Sequence, residues 1–227
     1  MKKHNILFLF ILGVVFTSCE YDNYDEPKAT LRGQVVYDGT PVSVRTNGPQ
    51  FELFQDGYDK EGSIPVYVAY DGTYSASVFS GEYKLVRKAG APWEDQNKDT
   101  LLVKVSGTTE YDVPVIPYFV IRDESFKVEN NSIKATFTID QISNKTEIDA
   151  VRFYVGRSIL TDQQKNEYRV SGNMSEIKIG EEATMVADIA NFPEILQKSD
   201  YVYVRVAVRS KATSEYFYTQ PQKVELK

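Results

Sequence analysis

Cysteine and histidine occur once each in 227 residues, as Cys19 and His4. Both fall within the first nineteen positions, so everything downstream lacks thiol and imidazole. That excludes Ser-His-Asp and Cys-His nucleophile systems, thiol redox chemistry, disulfides, and zinc sites built on imidazole or thiolate. Basic residues are also scarce: 26 Lys and Arg stand against 32 Asp and Glu, giving a net charge of −6 with no basic cluster. Such a chain repels phosphate backbones and anionic membrane surfaces, which argues against nucleic acid as a partner. The apolar run from Ile6 to Phe16 is only about half of the ~20 residues that a membrane-spanning helix needs. Short-period repeats, heptads and low-complexity tracts are missing too, which excludes solenoids and coiled coils.

The apolar run follows Lys2 and Lys3, so it reads as the h-region of an export signal behind a positive n-region. Thr17 and Ser18 are small residues suited to signal-peptidase cleavage, and Cys19 follows at once. The arrangement resembles a bacterial lipobox, although Phe16 stands where Leu is usual. The resemblance implies cleavage before Cys19, a diacylglyceryl thioether on its sulfur, and membrane attachment through lipid. A buried acyl methylene contributes about 0.8 kcal/mol, so several chains hold a protein at a bilayer without spanning it. The acidic stretch "EYDNYDE" after Cys19 reads as a short solvated tether.

Beyond the tether, period-two alternation between turn residues predicts antiparallel sheets and an all-β fold of two consecutive β-sandwich domains. In the first half, residues 31–37, 64–70, 74–80, 83–89 and 101–105 read as strands, punctuated by "DGT" and "SGEY", whose glycines permit tight hairpins. In the second half the strands are 132–140, 150–156, 176–180, 183–189, 201–210 and 222–226. Alternation puts Ile133, Ala135, Phe137 and Ile139 on a core face, and Val202, Val204, Val206 and Val208 on another. Tyr201, Tyr203, Arg205 and Arg209 then face out. Short helical turns are predicted over 192–199 and 161–168. Pro114 and Pro117 stiffen the crossing between the halves. The organisation read from this is a signal peptide over 1–18, a lipidated tether over 19–29, and sandwiches over 30–120 and 121–227.

The segments "LRGQVVYDGTPV", "YDGTYSASVFSGEYKLV" and "VKVSGTTEYDVPV" resemble the carboxypeptidase-regulatory or prealbumin-like β-sandwich. More closely, "VRTNGPQFELFQDGY", "GAPWEDQNKDT" and "VPVIPYF" resemble Bacteroidetes lipoproteins of domain of unknown function 3823, over most of residues 20 to 125. The remainder is similar to a fibronectin- or immunoglobulin-like module. The resemblance implies an accessory lipoprotein of a starch-utilisation-type system, which captures glycans at the outer membrane beside a TonB-dependent transporter. The acids after Cys19 are similar to the signal that sends such lipoproteins to the cell surface. It supplies neither catalytic residues nor a cofactor.

Sugar binding needs aromatic faces for pyranose rings, with amides, carboxylates or Arg nearby for the hydroxyls. Trp93, the one tryptophan, sits in a loop-like stretch with Glu94, Asp95, Gln96 and Asn97, and is a candidate stacking residue; packing at the sandwich edge or against the second domain is the alternative. Arg45, Asn47 and Gln50 form a second candidate around a turn, where Asn47-Gly48 is also a hairpin signal. Tyr70, with Tyr58, Tyr67 and Tyr74, could extend a stacking surface, although tyrosine is also a good strand former. Asp95, Asn97 and Asp99 have the first spacings of a calcium loop, but Thr100 and Ser106 stand where its Gly and Glu belong, leaving at most an irregular site.

The function expected is therefore that of a non-catalytic surface lipoprotein binding glycan or glycoprotein beside an uptake complex. The alternative is a structural module that contacts only the transporter complex or a second copy of itself. A glycoside hydrolase using two carboxylates is a remote third reading, since no pair of acids is singled out.

Overall fold

The computed structural model describes residues 25–56 and 62–227. Cys19 and Tyr58, and with them the lipidation expectation, lie outside the described residues. The chain is nearly all β, in two domains. Among the described residues no helix is long and apolar enough to cross a membrane.

In the first domain β1 (Ala29–Tyr37) pairs with β2 (Thr40–Pro41) and β5 (Thr73–Val78), while β3 (Gln50–Phe54), β4 (Ile64–Tyr67), β6 (Gly81–Arg87) and β7 (Leu101–Val105) make a second sheet in the order β4-β3-β6-β7. Two short strands, β8 (Thr108–Glu110) and β9 (Val113–Pro114), run parallel to β1. They depart from the all-antiparallel expectation because the chain returns along β1 after crossing from the other sheet. Leu31 and Val35 of the first sheet and Phe51, Leu53 and Leu85 of the second are fully buried between the layers. Phe51 meets Tyr74 edge-on at 5.3 Å, tying one sheet to the other.

In the second domain β10 (Phe119–Glu129), β11 (Ser132–Gln141) and β14 (Glu182–Asp188) form one sheet. The facing sheet orders β13 (Tyr168–Ser171), β12 (Ile148–Gly156) and β15 (Tyr201–Ser210), with β16 (Tyr216–Tyr218) and β17 (Gln222–Glu225) both on β15. Ile133, Ala135, Phe137 and Ile139 are all fully buried, as are Val202, Val204 and Val206, and burying one such valine or isoleucine contributes up to about 1.5–3 kcal/mol. Phe126 stacks on Phe153 at 5.8 Å across the layers.

Two expected elements are replaced by turns. Residues 161–168 do not coil into a helix, because the Asp162 carboxylate accepts from the backbone N–H groups of Gln164 and Lys165, at 2.7 and 2.8 Å. Residues 176–180 make no strand: Asn173 accepts from the Ser175 backbone and its carbonyl from Ile177, closing a turn instead. The helix expected over 192–199 is present as one turn, α1 (Glu194–Gln197). β3, β10 and β16, which alternation does not single out, complete the sheets.

Arg205 corrects the outward-facing assignment for β15. It points away from its own domain's core yet is fully buried, because the first domain covers that face of the sheet. Its guanidinium donates to Thr219 O (2.9 Å) and Thr161 O (3.3 Å) at home, and to Ser43 Oγ (2.6 Å), Val44 O (2.9 Å) and Tyr70 O (3.3 Å) across the boundary. It also lies 4.3 Å over the Tyr218 ring. Burial pulls its pKa down to about 10, against the upward influence of Tyr218, Asp162 and Tyr70, so it remains a cation at neutral pH. Tyr154, Tyr216 and Tyr218 cluster with Ala150 and Ala207 on this covered face.

Candidate functional site

The residues singled out by composition around Trp93 converge on the domain boundary. Trp93 is 2% exposed and makes a bridge to Pro117, so its ring packs inside the protein and is closed to a ligand. The physical reason is the loop's anchoring. Arg87, itself buried, donates to Pro114 O (2.7 Å), Asp99 O (3.3 Å) and the Asp99 carboxylate (2.6 Å), which folds residues 91–99 back over the sheet. Glu94 accepts from Ser143 Oγ (2.6 Å) and Lys145 Nζ (2.5 Å) of the second domain, and those two donors hold its carboxyl below the usual carboxylate range. Asp95 is exposed and accepts from the backbone of Asn97, also exposed.

Arg45 is likewise committed, in a bidentate pair with Glu215 of the second domain. Asn47 takes the left-handed conformation (φ 58°) that its hairpin-like turn requires, and Gln50 opens β3 beside a small cleft of about 210 Å³ between Gly48, Lys88 and Glu215. The Tyr70 carbonyl accepts from Ser43 Oγ and Arg205. Asp99, the third residue of the calcium-like spacing, is paired with Arg87. Arg45, Tyr70 and Glu94 are therefore each engaged by the second domain, and Trp93 by Pro117 at the crossing, as parts of the joint between domains.

An open site lies elsewhere, on the outer face of the β1/β5/β8 sheet. The register pairs Arg32 with Ser75 on one side and with Glu110 on the other, and Gln34 with Thr73. Residues two apart on a strand share a face, so these form two polar rows about 7 Å apart. Asp112 completes the second row by accepting from the Gln34 backbone at 2.9 Å. The rows floor a cleft of about 640 Å³ that Tyr67 and Tyr111 also line. Tyr67 is 49% exposed. The size falls within the usual range for small-ligand sites, roughly 300–1,000 Å³.

Backbone packing fixes the floor. A Cβ on Gly33 would sit 2.0 Å from Tyr111 O, so only glycine lets residue 111 cross so close to β1. Tyr74, buried beneath, donates its hydroxyl to that same carbonyl, and burial together with Asp112 raises the Tyr74 pKa well above the phenolic norm. Arg32 donates through Nε (3.1 Å) and Nη2 (2.5 Å) to one oxygen of Glu110. The side chains of Gln34, Ser75, Tyr67 and Tyr111 have no hydrogen-bond partner among the described residues, so they are available to a ligand. A cleft with two tyrosine rings, an amide, hydroxyls, a guanidinium and two carboxylates can hold a polyhydroxylated molecule.

Of these residues sequence reading reached Tyr67 and Tyr74, the second of which lies buried beneath the floor. The signals for the others are "RGQ" and "EYD", each with polar residues two apart, but their pairing across 78 positions depends on the parallel strand β8.

No curated protein matches the chain significantly. Among solved structures, a DUF3823 family protein from Bacteroides ovatus is 44% identical with a TM-score of 0.81, over 88% of this chain and 100% of that one. A DUF3823 family protein from Parabacteroides merdae is 31% identical with the same TM-score and coverage. A candidate carbohydrate-binding protein from Bacteroides uniformis, 18% identical with a TM-score of 0.72 over 88% of this chain and 100% of that one, shares the fold. The family models describing the protein of unknown function DUF3823, N-terminal domain, and the domain of unknown function DUF3823_C match residues 29–116 and 119–223. The chain belongs to the DUF3823 family, and matches both of its domains.

Proposed function

We propose that this protein is a lipid-anchored accessory of the outer-membrane surface, without catalytic activity, that captures glycan in the β1/β5/β8 cleft and presents it to an uptake complex of the starch-utilisation type. The observation that carries this reading is the cleft itself, where Tyr67 and Tyr111 stand beside two rows of hydrogen-bonding side chains. Tyrosine rings supply flat apolar faces for the C–H side of pyranoses, and the rows supply donors and acceptors for hydroxyls. The N-terminal export and lipidation motif supports the surface location, with Cys19 as the acylated residue.

The reading is tested by retardation of the chain from Glu20 onward in gels containing a panel of plant and host polysaccharides. Wild type is expected to be retarded by at least one polymer, and Tyr67→Ala to lose that retardation with unchanged thermal unfolding. Retardation that survives Tyr67→Ala would overturn the cleft assignment. The burial of Trp93 favours a second reading, a protein-contact module that only spaces its partners, and silence across the whole panel would establish that one instead.

A further inference from the structure

We infer that the cleft selects uncharged glycans and discriminates against those bearing uronate, sialate or sulfate groups; the inference rests on the glycan-binding reading above. Among the described residues lining the cleft, Arg32 is the sole cation, and Glu110 already engages it through Nε and Nη2. Both of those donors converge on Oε1, so Glu110 Oε2 keeps its lone pairs free. Asp112 is placed similarly: Oδ1 accepts from Gln34 N–H at 2.9 Å, and Oδ2 has no partner among the described residues. Two free carboxylate oxygens are strong acceptors for sugar hydroxyls, which donate to them at roughly 2.5–2.7 Å. The same oxygens repel a second anion.

The charge balance in the cleft is one cation against two anions, on a chain whose net charge is −6. While Glu110 holds Nε and Nη2, an anionic sugar reaches Arg32 only through Nη1, on a cation already neutralised by its partner, and stands against Asp112 as well. Exposed sites near water retain a modest Coulomb penalty at such distances, which corresponds to roughly tenfold weaker binding for each unscreened contact. A neutral sugar meets no such penalty and can use Gln34, Ser75 and both carboxylates together.

The experiment compares neutral polymers (starch, xyloglucan, galactan, mannan) with anionic ones (polygalacturonate, hyaluronan, heparin), by gel retardation at 20 and 200 mM NaCl. Wild type is expected to bind a neutral polymer equally at both salt concentrations, in a Tyr67-dependent manner, and to bind anionic polymers at least tenfold more weakly. The double variant Glu110→Gln, Asp112→Asn is expected to gain about tenfold for anionic polymers at low salt, because it frees Arg32 and removes both repelling charges. Asp112→Asn alone keeps the acceptor for Gln34 N–H, so a gain in that single variant separates charge from loss of structure. Tyr67-dependent binding of an anionic polymer more tightly than any neutral one would overturn the inference while leaving the glycan reading intact. Failure of every polymer to bind would overturn both.

Discussion

Arg45 and Glu215, 170 positions apart in the chain, meet as a two-pronged ion pair, with Nε 2.7 Å from Oε2 and Nη2 2.6 Å from Oε1. Both side chains are largely shielded, at 14% and 13% exposure, and the Glu215 contact raises the Arg45 pKa. Such charge-assisted pairs are stronger than exposed ones. A double-mutant cycle with Arg45→Ala and Glu215→Ala is expected to give a coupling of about 1–2 kcal/mol in chemical unfolding. A value near zero would mean that the pair contributes nothing to holding the domains.

Arg205 serves acceptors in both domains, so its removal should be felt in both. Arg205→Met preserves bulk but strands the Val44 and Thr219 carbonyls, and is expected to destabilise the protein by about 3 kcal/mol. Calorimetry is expected to show one unfolding transition for wild type and two for the variant. One undivided transition at the wild-type temperature would contradict the role assigned to this residue.

Gly33 sits where the chain crosses β1. Gly33→Ala forces a carbon to within 2.0 Å of Tyr111 O and is expected to cost about 2 kcal/mol or more while displacing Tyr111 from the cleft. The check is paired: unfolding for the stability, and gel retardation for the loss of glycan binding. Gly90→Ala is the comparison for backbone effects at a positive-φ glycine, since a Cβ there has nothing within 4 Å.

The Glu94 link between domains should depend on pH. Its folded pKa is lowered, chiefly by Lys145 and then by Ser143. A lowered carboxylate pKa stabilises the fold above its unfolded value, near pH 4.3, and that contribution is lost as pH falls through the folded value. Glu94→Gln should therefore lower the unfolding temperature at pH 7 and make progressively less difference below about pH 4. A wild-type-to-variant gap that stays constant from pH 7 to pH 3 would refute it.

The fold was legible because burial on one face writes itself into alternation. Val202, Val204, Val206 and Val208 declare a core face in any reading of that strand, and all four are buried. What alternation cannot state is what covers the opposite face. Arg205 looked solvated for that reason, and only the neighbouring domain makes it internal. Trp93 misled in a similar way: polar neighbours suggested an open loop, while the anchor that closes it, Arg87, lies on a strand before it and joins Asp99 after it. The cleft escaped because β8 has three residues and pairs in parallel, too short and too remote to leave a period in the sequence.

The covered face of β15 and β16 ties the two halves of the chain together. The backbone N–H of Tyr218 donates to Ser43 O at 3.1 Å, so a segment of the first domain serves as an extra rung of the second domain's sheet. Cutting at the proline-marked crossing would strip the Arg205 guanidinium of its acceptors on Ser43, Val44 and Tyr70 and open a tyrosine cluster to water. The two halves are thus not interchangeable beads on a string. Grafting either one onto another protein means redesigning the surface it would lose.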